Sequence, residues 1–135
     1  MTLSISPIAI NNSGGGNETV AAGATTVIAN TSTIDGSAAV ALGFYARCTF
    51  NASATAGARV HVYGIPADVP ANWAGAVAAG AITQSVDIPL VTGVDRAVSF
   101  SVLPGHKYYK AVVENLDPAQ SITAVYVFAE PQVLS

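Results

Sequence analysis

The stretch AVALGFYARCTF, from Ala39 to Phe50, alternates apolar residues with polar or small ones along its whole length. Successive side chains of a β-strand point to opposite faces, so a period of two predicts a strand that buries one face. The predicted buried face contains the residues at even-numbered positions: Val40, Leu42, Phe44, Ala46, Cys48 and Phe50. Because a shift of register by one residue would expose Phe44 and Phe50, the pattern indicates which face packs on the core.

A second alternating run, GARVHVY, spans residues 57–63 and follows the loop NASATA at residues 51–56. Its apolar face carries two valines, Val60 and Val62. Its other face carries longer polar and aromatic side chains: Arg59, His61 and Tyr63. Two alternating runs joined by a short loop of small and polar residues are typical of a β-hairpin. We therefore predict that the two strands pair with each other.

The rest of the chain is a series of further short strands separated by turn signals. These signals are Asp-Gly, Pro-Gly and Asp-Pro pairs: Asp35-Gly36, Pro104-Gly105 and Asp117-Pro118. Residues 107–115 and 121–130 are predicted to form a second hairpin. A chain of 135 residues has the length of one domain. We predict an all-β fold, an antiparallel β-sandwich or jelly roll of seven to nine strands.

Residues 64–81, GIPADVPANWAGAVAAGA, form a long connection that departs from the strand pattern. Connections of this length inside a compact domain are uncommon and often functional. Asp68 and Pro70 suit the start of a helix and Gly80 suits its end, so we predict at most one short helix, near 70–79.

The N-terminal residues 1–17 are predicted to form an extended arm with a hinge. Pro7 limits the arm to an edge strand, because proline cannot donate to a ladder, and NNSGGGN at residues 11–17 is the hinge. Such an arm suits addition to a neighbouring subunit's sheet edge, and the alternative is a disordered terminus. The candidate partner-binding residues of the arm are its apolar ones: Leu3, Ile5, Ile8 and Ile10. Residues 18–130 form the predicted domain, and residues 131–135 a short tail.

The composition indicates a surface that is poor in charge. The chain is 51% hydrophobic and only 10% charged, against a usual charged share of about 25%. Part of this neutral surface is therefore expected to be covered by partners. With five Lys and Arg residues and a formal net charge of −3, the chain lacks the basic patch of a nucleic-acid-binding protein. A single cysteine, Cys48, allows no internal disulfide and is expected to act as a small buried hydrophobe.

Targeting signals are not expected. The start of the chain, MTLSISPIAINNSGGG, has neither the cationic region nor the apolar core of a secretory signal. No apolar run approaches the roughly 20 residues of a transmembrane helix. We therefore expect synthesis in the cytoplasm and no association with membranes.

No motif predicts a catalytic residue, a metal ligand or a cofactor site. The two histidines, His61 and His106, have no obvious third partner for a metal site, and the chain has no G-x-S-x-G motif. Its acidic residues form no calcium loop, and the run SGGGN lacks the Lys-Ser/Thr ending of a phosphate-binding loop. A small enzyme stays an alternative hypothesis, which requires His61 or His106 to bond a carboxylate in a cleft.

Trp73, the only tryptophan, is the candidate binding residue of the long connection. A lone tryptophan in a long loop suits a platform on which sugar rings stack. The platform would also use tyrosines: Tyr45, Tyr63, Tyr108, Tyr109 and Tyr126. The alternative is that Trp73 packs the loop onto the sandwich or anchors it at a subunit interface.

Two segments, TVAAGATTVIANTS at residues 19–32 and YYKAVVENLDPAQSITAVYV at residues 108–127, resemble small Ala/Gly/Thr-rich β-proteins from the structural regions of tailed bacteriophages. The resemblance implies a non-enzymatic virion protein, such as a capsid decoration (cement) protein, and it carries no catalytic residues. It also implies a location in the virion. The implied partners are the major capsid protein or other virion subunits, and further copies of the chain itself in a homo-oligomer such as a trimer. The alternative function is a carbohydrate-binding or adhesion module at a tail or fibre, which would use Trp73.

Overall fold

The computed structural model of the chain describes residues 3–5, 8–9, 18–26, 31–65, 82–103 and 105–134. These residues contain ten strand segments and no helix: β1 (Leu3–Ile5), β2 (Ile8–Ala9), β3 (Glu18–Val20), β4 (Ile34–Asp35), β5 (Ala39–Phe50), β6 (Ala58–Ile65), β7 (Ile82–Ile88), β8 (Asp95–Val102), β9 (Tyr108–Asn115) and β10 (Ile122–Leu134).

The strands form two antiparallel sheets that pack face to face. In sheet A, β10 lies between β5 and an edge formed by β1, β2 and β3, and β8 flanks β5 on the far side. Sheet B has the order β4-β9-β6-β7. Because β1, β2 and β3 follow one another along the same edge of β10, the ten segments occupy eight strand positions. This arrangement is a jelly roll, which confirms the predicted all-β class.

Both predicted hairpins are wrong. The strands β5 and β6 lie in different sheets, where β5 pairs with β10 and β8, and β6 pairs with β9 and β7. The strands β9 and β10 are likewise in opposite sheets. The loops at residues 51–57 and 116–121 carry the chain across the core. The alternation of apolar residues predicts which side chains are buried. It does not distinguish a strand that pairs with the next strand of the chain from one that packs against it in the opposite sheet.

The predicted buried face of β5 is confirmed from Leu42 to Phe50, since each of its residues is at most 2% exposed. Val60 and Val62 of β6 are also buried, as predicted. Val40 is the exception, because it is 50% exposed. The register between β5 and β10 shifts at this point, and such a bulge re-aims a side chain away from the core.

Cys48 lies at the centre of this core and is fully buried. Removal from solvent, with a smaller contribution from the nearby carboxylate of Asp95, raises the pKa of its thiol to about 12. The thiol is therefore protonated at neutral pH, and Cys48 acts as the small buried hydrophobe that the sequence predicted.

The chain termini run beside each other in sheet A. The sequence predicts a tail from residue 131, but β10 continues to Leu134. β1 pairs with the last residues of β10 through Leu3↔Leu134 and Ile5↔Gln132. β2 pairs with the middle of β10 through Ile8↔Ala129. The predicted hinge at residues 11–17 and the predicted helix near 70–79 lie outside the described residues.

One end of the sandwich is held by two buried polar residues, Asn115 at the end of β9 and Asp117 in the β9–β10 connection. The carboxylate of Asp117 accepts hydrogen bonds from the backbone N–H groups of Thr55 (2.6 Å) and Ala56 (3.2 Å) in the β5–β6 loop. It also accepts two from its own loop, from Ala119 and Gln120, each at 2.8 Å. The side-chain amide of Asn115 donates to three backbone carbonyls: those of Val20, Ala21 and Gln120. These bonds tie the two loops and the end of β3 together.

Candidate functional site

The outer face of sheet A carries a cluster of aromatic side chains. Phe128 packs edge-on against Tyr126 with ring centroids 4.4 Å apart, and it lies 6.3 Å from the ring of Tyr45 on the neighbouring strand. The guanidinium carbon of Arg47 lies 5.6 Å from the centroid of the Tyr126 ring, which is a cation–π contact. These side chains form a ridge along β5 and β10.

A groove lies beside this ridge, where the side chains become small. Gly43 has no side chain, and the outward residues of β8 opposite Tyr45 and Gly43 are Ser99 and Ser101. The groove has a volume of about 250 Å³. Its outer-face lining, called the groove residues below, consists of Gly43, Tyr45, Ser99, Ser101, Glu130 and Gln132.

The carboxylate of Glu130 lies above Gly43 on the outer face of sheet A. Glu130 pairs with Gly43 across β10 and β5, and its Oε2 lies 3.7 Å from the position that a Cβ on Gly43 would take. In the part of the chain that the structure describes, this carboxylate forms no hydrogen bond or ion pair. Its oxygen atoms are thus available as acceptors at the floor of the groove.

Next to the groove, exposed apolar side chains gather at one end of sheet A. We call them the apolar rim: Ile5 (50% exposed), Val40 (50%), Leu103 (85%) and Leu134 (43%). The strand register places them at the same end of the sheet, because β1 and β5 begin where β10 ends, and Leu103 follows the last residue of β8. Apolar residues grouped in this way commonly mark an interaction surface.

The structure locates some of the candidate residues of the arm. Ile5 and Ile8 are exposed, at 50% and 39%, on segments that pair with β10 of the same chain. Leu3 belongs to β1 by its backbone pairing with Leu134. Ile10 and Trp73 lie outside the described residues.

Tyr45 is one of the tyrosines that the sequence suggested for a sugar platform, whereas the other groove residues were not predicted from the sequence. The alternation RAVSFSVL at residues 96–103 places Ser99 and Ser101 on the polar face of a strand, and Gly43 and Glu130 belong to no motif. The available signal was the row of small outward residues on β8, Ala97, Ser99 and Ser101, which leaves a hollow beside any taller neighbour. The sequence does not show which strand that neighbour belongs to.

On the outer face of sheet B, His61 lies between two polar partners. Its Nε2 is 2.9 Å from Oε1 of Glu114, and its Nδ1 is 2.7 Å from Oγ of Ser85. The histidine thus bonds a carboxylate, which is the first requirement of the enzyme hypothesis. His106, by contrast, is exposed and has an edge contact with the ring of Tyr109 at 6.1 Å.

The surroundings of His61 are those of a cross-strand polar ladder. Arg59, one step along the same face, forms an ion pair with Asp87 at 2.6 Å. Ser85 is exposed on the outer face of a strand, whereas acyl transfer also requires an oxyanion hole beside the nucleophile. We interpret the His61–Glu114 and Arg59–Asp87 pairs as cross-strand contacts that stabilise the sheet.

Among the described residues, no group of three or more His, Cys, Asp or Glu side chains is arranged to hold a metal ion. The same part of the chain contains no helix with the length and apolar character needed to span a bilayer.

Comparison with known proteins identifies the fold but no family. No protein-family model matches the chain, and no curated protein is significantly similar to it in sequence. Solved structures do match. The vertex protein P5 of PRD1 has a TM-score of 0.54 at 10% identity, with 96% of this chain and 95% of that chain covered. VP2 of infectious bursal disease virus, solved as a subviral particle, has a TM-score of 0.56 at 14% identity, with coverage of 97% and 32%.

A carbohydrate-binding module has the same fold. The C-terminal CBM6 module of LamC, a marine laminarinase from Zobellia galactanivorans, has a TM-score of 0.51 at 11% identity, with coverage of 92% of this chain and 98% of that chain. The chain shares its jelly roll with these viral proteins and with this module. Identities this low establish the fold alone, because one β-sandwich architecture hosts many functions.

Proposed function

We propose that this protein is a non-enzymatic structural protein of a virion, and specifically a capsid decoration (cement) protein of a tailed bacteriophage. The observation that carries the proposal is the apolar rim, in which Leu103, 85% exposed, lies at the same end of sheet A as the exposed side chains of Ile5, Val40 and Leu134. A side chain as apolar as leucine gains about 1.5–3 kcal/mol when it is buried, so a rim of four such residues favours association. The capsid and vertex proteins of similar fold and the low charge of the chain support this role.

In this proposal the rim contacts the major capsid protein or other virion subunits, and the N-terminal arm joins copies of the chain. β1 and β2 are only three and two residues long, and the same edge of β10 would accept the arm of another copy. Leu3, Ile5, Ile8 and Ile10 would then be partner-binding residues. A trimer suits a position on a three-fold axis of a capsid, and binding to the assembled head alone would stabilise that head by mass action.

The oligomeric state tests this proposal. We expect light scattering after size exclusion to give a trimer or larger oligomer for the full chain, and a smaller species for a chain that starts at Glu18. We also expect the double substitution Val40→Ser and Leu103→Ser to weaken co-sedimentation with heads of the encoding phage about tenfold or more, because each lost apolar contact removes burial energy.

A matched control is the double substitution Val91→Ser and Val94→Ser, which changes two exposed valines in the β7–β8 turn, away from the rim. It should leave both the mass and the co-sedimentation unchanged. If the full chain were a strict monomer without affinity for phage heads, the virion role would be contradicted.

A second candidate function is a carbohydrate-binding or adhesion module at a tail or fibre. The aromatic ridge and its polar groove favour it, since a site that combines aromatic walls with a few placed polar groups suits a small ligand. The sequence assigns Trp73 to this function. It predicts weak binding of sugars that is lost in Trp73→Ala, measured by isothermal titration calorimetry.

A further inference from the structure

We infer that the groove on sheet A is a binding site for a neutral saccharide, with one sugar ring held between Tyr45 and Glu130. The inference rests on the second candidate function and supplies a different site for it. It does not depend on the decoration role.

The shape of the groove limits the size of its ligand. Its volume of about 250 Å³ lies just below the range of about 300–1,000 Å³ that is typical of sites for drug-sized molecules. The absence of a side chain at Gly43 lowers the floor of the groove between Tyr45 and Gln132. A single six-membered ring is therefore a suitable occupant, and a longer saccharide would extend along β8.

The polar groups of the groove match a hydroxyl-rich ligand. The carboxylate of Glu130 accepts hydrogen bonds, the amide of Gln132 both donates and accepts them, and Ser99 and Ser101 offer exposed hydroxyls. Hydroxyl groups that donate to a carboxylate form charge-assisted hydrogen bonds, which are stronger than hydrogen bonds between neutral groups. Tyr45 adds an aromatic wall against which the C–H face of a sugar ring can pack.

Other classes of ligand fit the groove less well. The groove lies over β5, which is paired on both sides, with β10 and with β8, so a peptide in the groove would find no edge of β5 to which it could add. The negative charge of Glu130 disfavours phosphates, nucleic acids and acidic sugars. A purely apolar ligand would leave the carboxylate and the amide without partners, which costs free energy.

The test is a titration of the full-length, ¹⁵N-labelled protein with methyl glycosides of glucose, galactose, mannose and N-acetylglucosamine, with glucuronate as the acidic counterpart. We expect at least one neutral glycoside to shift the backbone amide signals of Gly43, Ser99 and Ser101, and glucuronate to bind more weakly. Tyr45→Ala and Glu130→Gln should each weaken binding about tenfold, as expected for the loss of a stacking ring or a charge-assisted bond.

Two further variants distinguish the loss of the binding site from unfolding of the protein. Gly43→Val places a branched side chain in the groove. Its Cβ would meet its nearest atoms, of Glu130, at an ordinary 3.5 Å, and a β-branched residue suits a strand, so the amide spectrum of the variant is expected to stay that of a folded protein. This variant should abolish the shifts. Tyr126→Ala removes an aromatic residue of the same face that does not line the groove, and binding should persist.

Two outcomes would overturn the groove site, and they can be distinguished from each other. If no glycoside shifts any signal, the groove is not a saccharide site, whereas the oligomer and head-binding measurements still decide the decoration role. If glycosides bind but Trp73→Ala abolishes binding while Tyr45→Ala and Gly43→Val retain it, the site lies in the long connection. In that case the second candidate function survives and the groove inference fails.

Discussion

Phe44→Ala is expected to lower the free energy of unfolding by about 3–5 kcal/mol, because truncation of a buried phenylalanine loses its burial and leaves a cavity. Phe44 is 2% exposed, and its ring stacks on that of Phe100 in β8 with centroids 5.5 Å apart. Domains of this size are typically stable by about 5–15 kcal/mol. The substitution therefore removes a large part of the stability, and urea unfolding followed by circular dichroism measures the loss.

Tyr45→Ala is the matched control for this prediction, because it truncates the next residue on the opposite face of the same strand. Tyr45 is half-buried and lies 6.3 Å from the Phe128 ring, so we expect a loss of about 1 kcal/mol. Equal losses in the two variants would contradict the assignment of Phe44 to the core. A small loss also keeps Tyr45→Ala folded for the saccharide titration.

Asp117→Asn is expected to lower the melting temperature at neutral pH by on the order of 10 °C, because it breaks a buried hydrogen-bond network. Asp117 is 1% exposed, and its two carboxylate oxygens accept four backbone N–H groups from two loops. An asparagine would turn an N–H₂ group towards some of these donors, which would then lose their acceptor. Thermal unfolding by circular dichroism measures the change.

The same residue makes the stability depend on pH. The backbone hydrogen bonds, from Thr55 first and then from Ala119, hold the pKa of Asp117 well below its ordinary value of 3.8. A lowered pKa in the folded state stabilises the protein above pH 3.8, and this contribution is lost as the pH falls towards the folded pKa. The melting temperature of the unmodified protein should therefore drop between neutral pH and pH about 3, and that of Asp117→Asn should drop less.

Asp35→Asn provides the control for both measurements. Asp35 is the exposed last residue of β4, and its pKa is lowered first by the side chain of Ser37 and then by a hydrogen bond from the Ser37 backbone N–H at 2.9 Å. Because solvent can replace this bond, the substitution should change the melting temperature little. If Asp117→Asn changed the melting temperature as little as Asp35→Asn, the carboxylate of Asp117 would not be needed to hold the two loops together.

The candidate site was less predictable than the fold. The groove is assembled from β5, β8 and β10, and Gly43 and Glu130 are separated by most of the chain. Each residue has an ordinary place in its own strand pattern, and only strand pairing brings the glycine, the carboxylate and the tyrosine together. The apolar rim could not be predicted either, because Val40 follows the apolar alternation of β5 and is turned outward by a bulge.

The side-chain alternation of β5 and β6 was sufficient to predict the β-class and, except at Val40, the buried faces, since burial of one face requires only that apolar residues recur at every second position. Which strands pair was decided by the tertiary structure alone. A seven-residue loop such as 51–57 can close a hairpin or cross the core, and the local sequence is compatible with both. The crossing was selected by contacts distant in sequence: the packing of two sheets around Phe44 and the bonds from Asp117 to the backbone of Thr55 and Ala56.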